Sequence, residues 1–508
     1  MSRLAALVLA TASIVACDRV GQDSDTAQEE TTAVLMPVPG DPTISFSLSF
    51  RVGSQDDPPG KEGLAFLTGS MIEDGATTNN SYEAILEKLY PLASTYTLRV
   101  DREMSTLTGR THRDNLAAFV ELLTDAYLRP AFLEEDFSRL KSGAINYLVN
   151  ELRYASDEEL GKATLYQGIY RGTRYAHPPE GTVAGLTAIT LNDIRDFYRR
   201  HYTKDNVLLA LAGGIDADTA EHMESTLTQL PAAASASTAQ NIETPPIAGR
   251  QVTLIDKPGA DASISFGFPI DVHRGQRDFY ALWIANSWFG EHRHQASHLF
   301  QVIREDRGLN YGNYSYIESF PQGDRRTMPP VNVPRRYQIF EVWIRSLPND
   351  QAQFALRAAI RELVDLVDNG LNEEEFELTR AFLKKYVLHF ADTTSARLGY
   401  AVDDRFYGVE QPDHLTRFVA MMDELSLDDV NLAISNHLQY EKLEIAIVTG
   451  DADGLRIALA NDTPSPITYT SPKSAAILAE DEQIQAFKLN IALDNIHVVP
   501  ITAAFQGQ

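Results

Sequence analysis

The sequence predicts an α+β fold made of two tandem, homologous units, each a largely antiparallel sheet with helices packed on one face. Three observations predict it: two alternating apolar segments, two matching helix-start signals, and two apolar strands that end in glycine. One member of each pair lies in either half of the 508-residue chain. The shared order, with strands first, helices in the middle and a strand last, indicates one unit written twice.

The repeated strands set the length of the repeat. Apolar residues alternate with polar or small ones over 44–52 and again over 264–270, the pattern of a half-buried strand. Later in each half an apolar strand ends in glycine, at 207–214 and at 443–450. The first pair is offset by about 220 residues and the second by about 236. We therefore expect an insertion in the second half and assign it to residues 321–336.

Helical patterns lie between these strands. Residues 116–128 and 354–367 place apolar side chains at i, i+3 and i+4, which predicts amphipathic helices. The next helix in each half begins with an acidic first turn, at 134–136 and at 373–375, where carboxylates face the positive end of the helix dipole.

Capping signals mark the last long helix of each unit. Thr190 is followed three residues later by Asp193, and Ser426 in the same way by Asp429. A hydroxyl and an acid at this spacing predict a capping box. Near the end of the chain, the apolar stretch 496–501 predicts an additional edge strand.

These landmarks divide the chain into six segments. They are a signal peptide (1–17), a flexible tether (18–33), a first unit (34–230), a linker (231–249), a second unit (250–470) and a tail (471–508).

The amino terminus reads as a targeting segment. Arg3 precedes an uninterrupted run of apolar and small residues, 4–16, which is too short to span a bilayer. The run ends at Cys17 in a sequence that resembles a bacterial lipobox, which implies that Cys17 carries a lipid. Asp18 resembles a signal for retention at the inner membrane. The alternative is an ordinary signal peptide with an incidental cysteine.

Composition excludes some classes of partner. Lys and Arg total 44 against 70 for Asp and Glu, a formal charge of −26. Nucleic acids and anionic membrane surfaces would repel so acidic a chain, and we expect no nucleic-acid partner. Cys17 is the only cysteine, so the chain contains no internal disulfide.

Residues 58–75 carry a resemblance to a known family. The run Gly63-Leu64-Ala65 resembles the opening of the catalytic helix in insulinase/pitrilysin-type metallopeptidases, the inverzincins. In active members it is followed at once by His-x-x-Glu-His, which supplies two zinc ligands and a general base. Phe66, Gly69 and Ser70 occupy those positions here. The resemblance implies two units that enclose a chamber for a peptide, with neither zinc nor catalysis in this chain.

Two further features bear on metal binding: a candidate for the family's third ligand and a cluster of histidines. Glu151 best matches the glutamate that supplies the family's third zinc ligand, although a surface glutamate is an equal alternative. His294 and His298 have the i, i+4 spacing of paired ligands, and His292 is close by. Ser297 looks like an N-cap, which would place His294 in the preceding loop. We therefore expect a polar loop there, with no metal site.

The second unit contains a more specific match. Arg304 and Tyr311 resemble the family's Arg-x6-Tyr element, which in active relatives reaches the substrate near the scissile bond. The resemblance implies that both residues bind peptide carbonyl groups and help to stabilise the oxyanion. The alternative is that Tyr311 packs in the sheet and Arg304 pairs with Glu305 or Asp306.

The combined hypothesis is a non-catalytic, peptide-binding subunit of a two-subunit zinc peptidase. A partner subunit with an intact zinc motif would bring the metal, and this chain would need no cofactor of its own. The lipobox places it in the bacterial cell envelope, lipid-anchored and facing the periplasm. Two alternatives remain open: a stand-alone pseudopeptidase that binds peptides or acts as a structural scaffold, and an enzyme with an unrecognised metal site.

The insertion has an unusual composition for this acidic chain. Its four arginines are Arg325, Arg326, Arg335 and Arg336. They suggest a basic lip that guides a peptide or partner, but a solvated loop is the favoured interpretation.

Overall fold

The structure, a computed structural model, describes residues 33–232, 242–323 and 325–507. The predicted signal peptide with Cys17, nearly all of the tether and residues 233–241 of the predicted linker lie outside these residues. Within the described ranges, none of the helices has the length and apolar character needed to cross a membrane.

The first unit is an α+β layer. Its elements are β1 (Val34–Pro37), β2 (Thr43–Phe50), α1 (Leu64–Glu73), α2 (Tyr82–Leu89), β3 (Thr95–Val100), β4 (Ser105–His112), α3 (Leu116–Leu128), α4 (Glu134–Asn146), α5 (Asp157–Ile169), α6 (Val183–Ala188), α7 (Leu191–His201), β5 (Val207–Gly213) and α8 (Ala217–Leu227).

The second unit repeats this order and adds a tail. Its elements are β6 (Arg250–Asp256), β7 (Ala262–Ile270), α9 (Arg277–Gly290), β8 (Asn313–Tyr316), β9 (Gln338–Leu347), α10 (Ala352–Asn369), α11 (Glu373–Tyr386), α12 (Thr394–Tyr407), α13 (His414–Glu424), α14 (Leu427–His437), β10 (Leu443–Thr449), α15 (Ala452–Ala460), α16 (Ala475–Ala486) and β11 (Ile496–Pro500).

Local sequence signals explain where the helices begin. The predicted helix 116–128 is α3, and the predicted helix 354–367 lies within α10. Both predicted capping boxes are present. The hydroxyls of Thr190 and Ser426 each accept a hydrogen bond from the N–H of the third helical residue, an aspartate, and the carboxylate of that aspartate accepts from the N–H of the capping residue. The helix starts are therefore set by short-range chemistry, as predicted.

Each unit contains one mixed sheet. The strand order is β1-β5-β2-β4-β3 in the first sheet and β11-β6-β10-β7-β9-β8 in the second. The central pairs are antiparallel, with Phe46 opposite Leu211 and Phe266 opposite Ile445. The outer pairs β1–β5, β6–β10 and β6–β11 are parallel. The predicted edge strand at 496–501 is confirmed as β11.

The insertion lies between the last two strands of the second sheet. In the first unit, β3 and β4 are joined by four residues, 101–104. In the second unit, β8 and β9 are joined by 21 residues, 317–337. We call this segment the long loop. It accounts for the change in repeat offset that the sequence shows.

The predicted α+β layers are present, and each sheet also packs against one helix of the other unit. Helix α5 of the first unit packs on β7, β9 and β10 of the second sheet, and α12 of the second unit packs on β2 and β5 of the first. Strand β2 is consequently buried on both faces, and Ser45 Oγ lies 2.8 Å from Ser395 Oγ. The alternating pattern predicts a solvent-exposed face for β2. That face is buried, because its small serine side chains leave room for a helix from the other unit.

The tail reaches both units. Helix α16 is held on the second unit because Arg307 donates to Glu480 and Asp481 at 2.7 and 2.8 Å. Beyond β11, residues 501–505 turn back to the first unit and contribute Ile501, Ala504 and Phe505 to its hydrophobic core.

Candidate functional site

A cavity of about 360 Å³, which we call the chamber, lies between the two units. From the first unit it is lined by residues 97–102, by Phe66 and by one side of α5. From the second unit it is lined by residues 319–322, Arg335 and Glu341. Because β3 is the edge strand of the first sheet, the chamber opens on a strand edge that no other strand of the described ranges covers.

Helix α1, which carries the degenerate motif, begins beside the chamber. Gly63 precedes it with φ of 106°, a backbone conformation that suits glycine. Asp57 accepts hydrogen bonds from the N–H groups of Gly63 at 2.6 Å and Ala65 at 2.7 Å. Burial raises the pKa of the Asp57 carboxyl well above its usual range. Asp57 thus pairs N–H groups that a helix start leaves open.

The three motif positions on α1 have structural surroundings of their own. Phe66 lines the chamber, and the Ser70 hydroxyl donates to the Phe66 carbonyl at 3.0 Å. A methyl group built on Gly69 would lie 2.6 Å from Val100 and 2.7 Å from Leu98. A glutamate cannot enter position 69 unless these β3 side chains move. The helix is retained, but side chains of β3 pack against the position where active relatives have the general base.

Glu151 lies on a π-helical segment, Tyr147–Leu152, that follows α4. Its side chain is exposed. Across the described ranges, no group of three or more His, Cys, Asp or Glu side chains could hold a metal ion. The residues of α1 together with Glu151 therefore do not fit a zinc ion, because a single carboxylate remains where three protein ligands are needed.

The three clustered histidines point to different partners. His292 is buried between the Tyr316 hydroxyl at 2.7 Å and the Arg326 carbonyl at 2.9 Å. His298 stacks on Trp288 and lies 2.6 Å from Glu362.

Ser297 occupies the N-cap position, as expected, because the helix begins at His298 and the Gln301 N–H donates to the Ser297 carbonyl at 3.0 Å. The Ser297 hydroxyl donates to the carbonyl of His294 at 3.0 Å. His294 lies in the preceding loop and packs its ring against Phe382, with 4.4 Å between the ring centres.

Arg304 and Tyr311 are brought together. Arg304 lies on a second π-helical segment, Phe300–Glu305, and its guanidinium sits 4.6 Å from the ring centres of both Phe300 and Tyr311. Tyr311 is 69% exposed and precedes β8, so it does not pack in the sheet. The ion pair with Glu305 is long, at 3.9 Å. The pair is an accessible guanidinium beside an accessible phenol.

This pair lies outside the chamber lining but is linked to it. The Arg345 guanidinium is 5.7 Å from the ring centre of Tyr311 and donates to Glu158 on α5 at 2.6 Å. The next residue on α5, Glu159, lines the chamber. Arg345 therefore links the Arg304–Tyr311 pair to α5, the helix that lines the chamber.

The long loop is not a solvated loop, because two of its arginines bind the first unit. Arg335 donates twice to Asp101, at 3.0 and 2.7 Å, and Arg336 donates to Glu103 at 2.6 Å. Burial acts to raise the pKa of Asp101, but the Arg335 guanidinium outweighs it and holds the pKa below its usual range. The two hairpin connections, equivalent in the repeat, thus clasp each other across the chamber.

Two chamber carboxyls have raised pKa values. Burial raises the pKa of Glu341 to about 7, opposed by Lys162. Burial also raises the pKa of Glu180. Of these two residues, Glu341 is the more enclosed, at 1% exposure.

Sequence analysis missed Glu341 and the Asp101–Arg335 pair. Glu341 is the one polar residue in the segment 339–344 of β9, and that interruption of an apolar segment is a usable signal. The Asp101–Arg335 pair is visible only as opposite charges at equivalent hairpin connections. Periodicity does not report it, because the two residues are 234 positions apart.

The duplicated units, the chamber between them and a motif helix without ligands define a peptidase-like protein. Two family models match: "Insulinase (Peptidase family M16)" over residues 33–183 and "Peptidase M16 inactive domain" over residues 188–383. The chain belongs to the insulinase family of peptidases, as a member in which Phe66, Gly69 and Ser70 replace the zinc motif.

Individual relatives are distant in sequence. An uncharacterised zinc protease of Streptomyces coelicolor is 24% identical over 341 residues, which are 66% of this chain and 69% of the relative. Mitochondrial cytochrome b-c1 complex subunit 2 of Saccharomyces cerevisiae is 26% identical over 199 residues, 38% of this chain and 52% of the relative.

A solved structure matches most of the fold. The peptidase M16 inactive domain from Pseudomonas fluorescens superposes with a TM-score of 0.70 at 21% identity. The match covers 82% of this chain and 94% of that one. It supports the two-unit fold that the sequence predicts.

Proposed function

We propose that this chain is the non-catalytic, peptide-binding subunit of a two-subunit zinc peptidase of the insulinase family. One observation carries the proposal: α1 is retained with its ligand positions filled, while Arg304 and Tyr311 lie together at the surface. A chain that hydrolyses peptides by itself would need the metal ligands. A chain that completes another subunit's active site needs only accessible donors.

Arg304 and Tyr311 have the chemistry for that role. A guanidinium and a phenol both donate hydrogen bonds, and both can be directed at a carbonyl oxygen as it gains negative charge. Stacking of Arg304 between Phe300 and Tyr311 limits the rotamers of a flexible side chain. Less conformational freedom is therefore lost when a substrate binds.

The chamber offers a place for the peptide itself. An extended peptide can add to the open edge of β3, where main-chain groups supply affinity and side-chain pockets supply specificity. The N–H of Leu98 is already bonded to the carboxyl of Glu73, so the added strand would use the remaining groups of this edge. The zinc ion and the general base would come from the partner subunit.

Location is part of the proposal. The lipobox at Cys17 would anchor the chain by lipid in the bacterial cell envelope, facing the periplasm, with Asp18 directing it to the inner membrane. The test is fractionation of cells that express wild type or Cys17→Ser. Wild type should sediment with membranes and Cys17→Ser should not. Wild-type protein in the soluble fraction would refute the anchor.

A structural scaffold is the second candidate function. The likeness to cytochrome b-c1 complex subunit 2, a component of a large assembly, favours it. A scaffold would use its surface for assembly and would have no need of an exposed Arg304–Tyr311 pair. Substitution of that pair therefore separates the two functions.

Reconstitution with a partner tests the proposal directly. The chain is purified alone, then together with an insulinase-family subunit that contains His-x-x-Glu-His and is encoded by the same genome. Peptidase activity should require both chains, with zinc found in the partner only. Full activity of the partner alone, unchanged by addition of this chain, would contradict the proposal.

A further inference from the structure

Glu341 is a buried carboxyl at the chamber wall whose hydrogen bonds are not formed within the described chain. Its side chain is 1% exposed, and neither carboxylate oxygen has a hydrogen-bond partner among the described residues. A buried polar group without a partner costs free energy, more when it is charged. Such a group at the wall of a cavity indicates a missing ligand better than it indicates a stable core.

The cations near Glu341 are directed elsewhere. Lys162 donates to the Phe320 carbonyl and lies 4.6 Å from the ring centre of Trp343. Arg335 makes its two hydrogen bonds to Asp101. Both cations contribute to the potential at Glu341, but neither supplies a hydrogen bond to it.

The remainder of the chamber suits a long side chain with a charged end. Phe66, Val100 and Tyr147 form part of its apolar lining, and Glu159 and Glu180 line it as well. Glu159 already accepts from the N–H groups of Gln322 and Gly323, at 3.2 and 3.0 Å. The Glu180 carboxyl accepts from its own backbone N–H. Glu341 is thus the chamber carboxylate with both oxygens open among the described residues.

We propose that Glu341 is the anchor of a subsite for an organic ammonium group carried by the bound peptide. The alkyl part would lie along the apolar lining, and the ammonium group would donate to both open oxygens of Glu341. This deepens the proposed function and rests on it in one respect, that a peptide enters the chamber. Two sources have this chemistry: a lysine side chain and a peptide's own amino terminus.

Binding to the isolated full-length chain tests the subsite without any partner. The probes are pentapeptides of alanine with lysine or norleucine at the central position, capped at both ends, and the norleucine peptide with a free amino terminus. Affinity is measured by calorimetry at pH 8. If a side chain is the ligand, the capped lysine peptide should bind about 10- to 100-fold more tightly than capped norleucine. If the amino terminus is the ligand, only the uncapped peptide should gain.

Substitution of Glu341 identifies the residue responsible. Glu341→Gln keeps the size of the side chain and removes its charge, so the preference for the ammonium peptide should disappear. Glu291→Gln is a matched control: Glu291 is 5% exposed, one of its oxygens lacks a partner in the described chain, and it does not line the chamber. That control should retain the preference, and circular dichroism verifies the fold of each variant.

The outcomes separate this inference from the proposed function. Equal affinity for all three peptides in wild type would overturn the subsite while leaving a peptide-binding subunit in place. A preference that survives in Glu341→Gln would also overturn it. Failure of the reconstituted pair to cleave peptides, with the Glu341-dependent preference intact, would overturn the two-subunit function alone.

Discussion

The two units share one fold but differ in what they keep of a peptidase site. In the first unit, the motif helix α1 keeps its place while packing has filled its ligand positions, most tightly at Gly69. In the second unit, Tyr311 is exposed and Arg304 is half-buried beside it, and neither side chain belongs to the hydrophobic core. Core packing explains the first set of residues. It does not explain an exposed stacked pair, so that pair is where function is to be sought.

The contact between the units gives the largest expected effect. Arg335→Met leaves Asp101 buried without its partner, which should lower the free energy of unfolding by about 3–5 kcal/mol. Arg336→Met is the comparison: its partner Glu103 is also buried, but Glu103 keeps hydrogen bonds from the Tyr175 hydroxyl and the Arg336 N–H, so the loss should be smaller. Urea denaturation measures both. Equal, small losses would mean that the long loop does not fasten the units together.

Substitution of Arg304 tests whether the pair in the second unit is functional. In the reconstituted pair, Arg304→Ala should lower the peptidase rate about 100- to 1000-fold if it is an oxyanion donor, and Tyr311→Phe should also lower it. The fall belongs in kcat for a transition-state contact, or in KM for a contact that only holds the peptide.

The matched control for that experiment is Arg380→Ala. Arg380 also stacks on an aromatic ring, Phe376, and also pairs with a neighbouring acid, Glu377, but lies on α11. It should leave the rate unchanged. Normal kinetics in both Arg304→Ala and Tyr311→Phe would identify the exposed pair as incidental and favour the scaffold function.

Glu341 gives the chamber a pH dependence of stability. Its pKa is raised in the folded protein to about 7 from an ordinary 4.5, so ionisation is harder in the folded state. Its contribution to stability is present at low pH and is lost as the pH rises from about 4.5 through 7. Glu341→Gln should therefore gain stability relative to wild type over that window, by up to about 3 kcal/mol.

The charges that face Glu341 come from three elements. These titratable groups are Lys162, Glu159 and Tyr166 on α5, Arg335 on the long loop, and Tyr316 on β8. Unfolding midpoints at pH 5, 6, 7 and 8 measure the effect. Parallel curves for wild type and Glu341→Gln would contradict it.

Substitution of Gly69 should change stability the least, and it tests whether packing fills the motif position in the first unit. Gly69→Ala places a methyl group against Leu98 and Val100 and should cost about 1–3 kcal/mol of stability. Gly143→Ala, on α4 with nothing within 4 Å of the added methyl group, should instead gain about 0.5–1 kcal/mol. Thermal unfolding of both variants is the measurement. A neutral Gly69→Ala would show that α1 still has room for the lost glutamate.

Short-range signals explain how much of this fold could be predicted. The helix starts at Thr190 and Ser426 and the edge strand at 496–501 are set by residues that are neighbours in sequence. The exchange of α5 and α12 between the units could not be predicted in this way, because it depends on faces that meet only after both sheets have formed.

The candidate site divides along the same line. The match of Arg304 to Tyr311 follows from a spacing of seven residues, and the structure brings the two side chains together. The roles of Glu341 and of the Asp101–Arg335 pair depend on residues that are distant in sequence. The only sequence signal for Glu341 is that it interrupts the apolar segment 339–344 of β9.

The segment 501–505 has a consequence for the order in which the units can finish folding during synthesis. Arg153 of the first unit donates to the Ala504 carbonyl at 3.0 and 2.6 Å, and the N–H of Val183 donates to the Phe505 carbonyl at 3.1 Å. A ribosome adds about 5–20 residues per second, so these partners emerge long after the rest of the first unit. The first unit is made first, yet its core is completed by residues 501–505, which are translated only after the whole second unit.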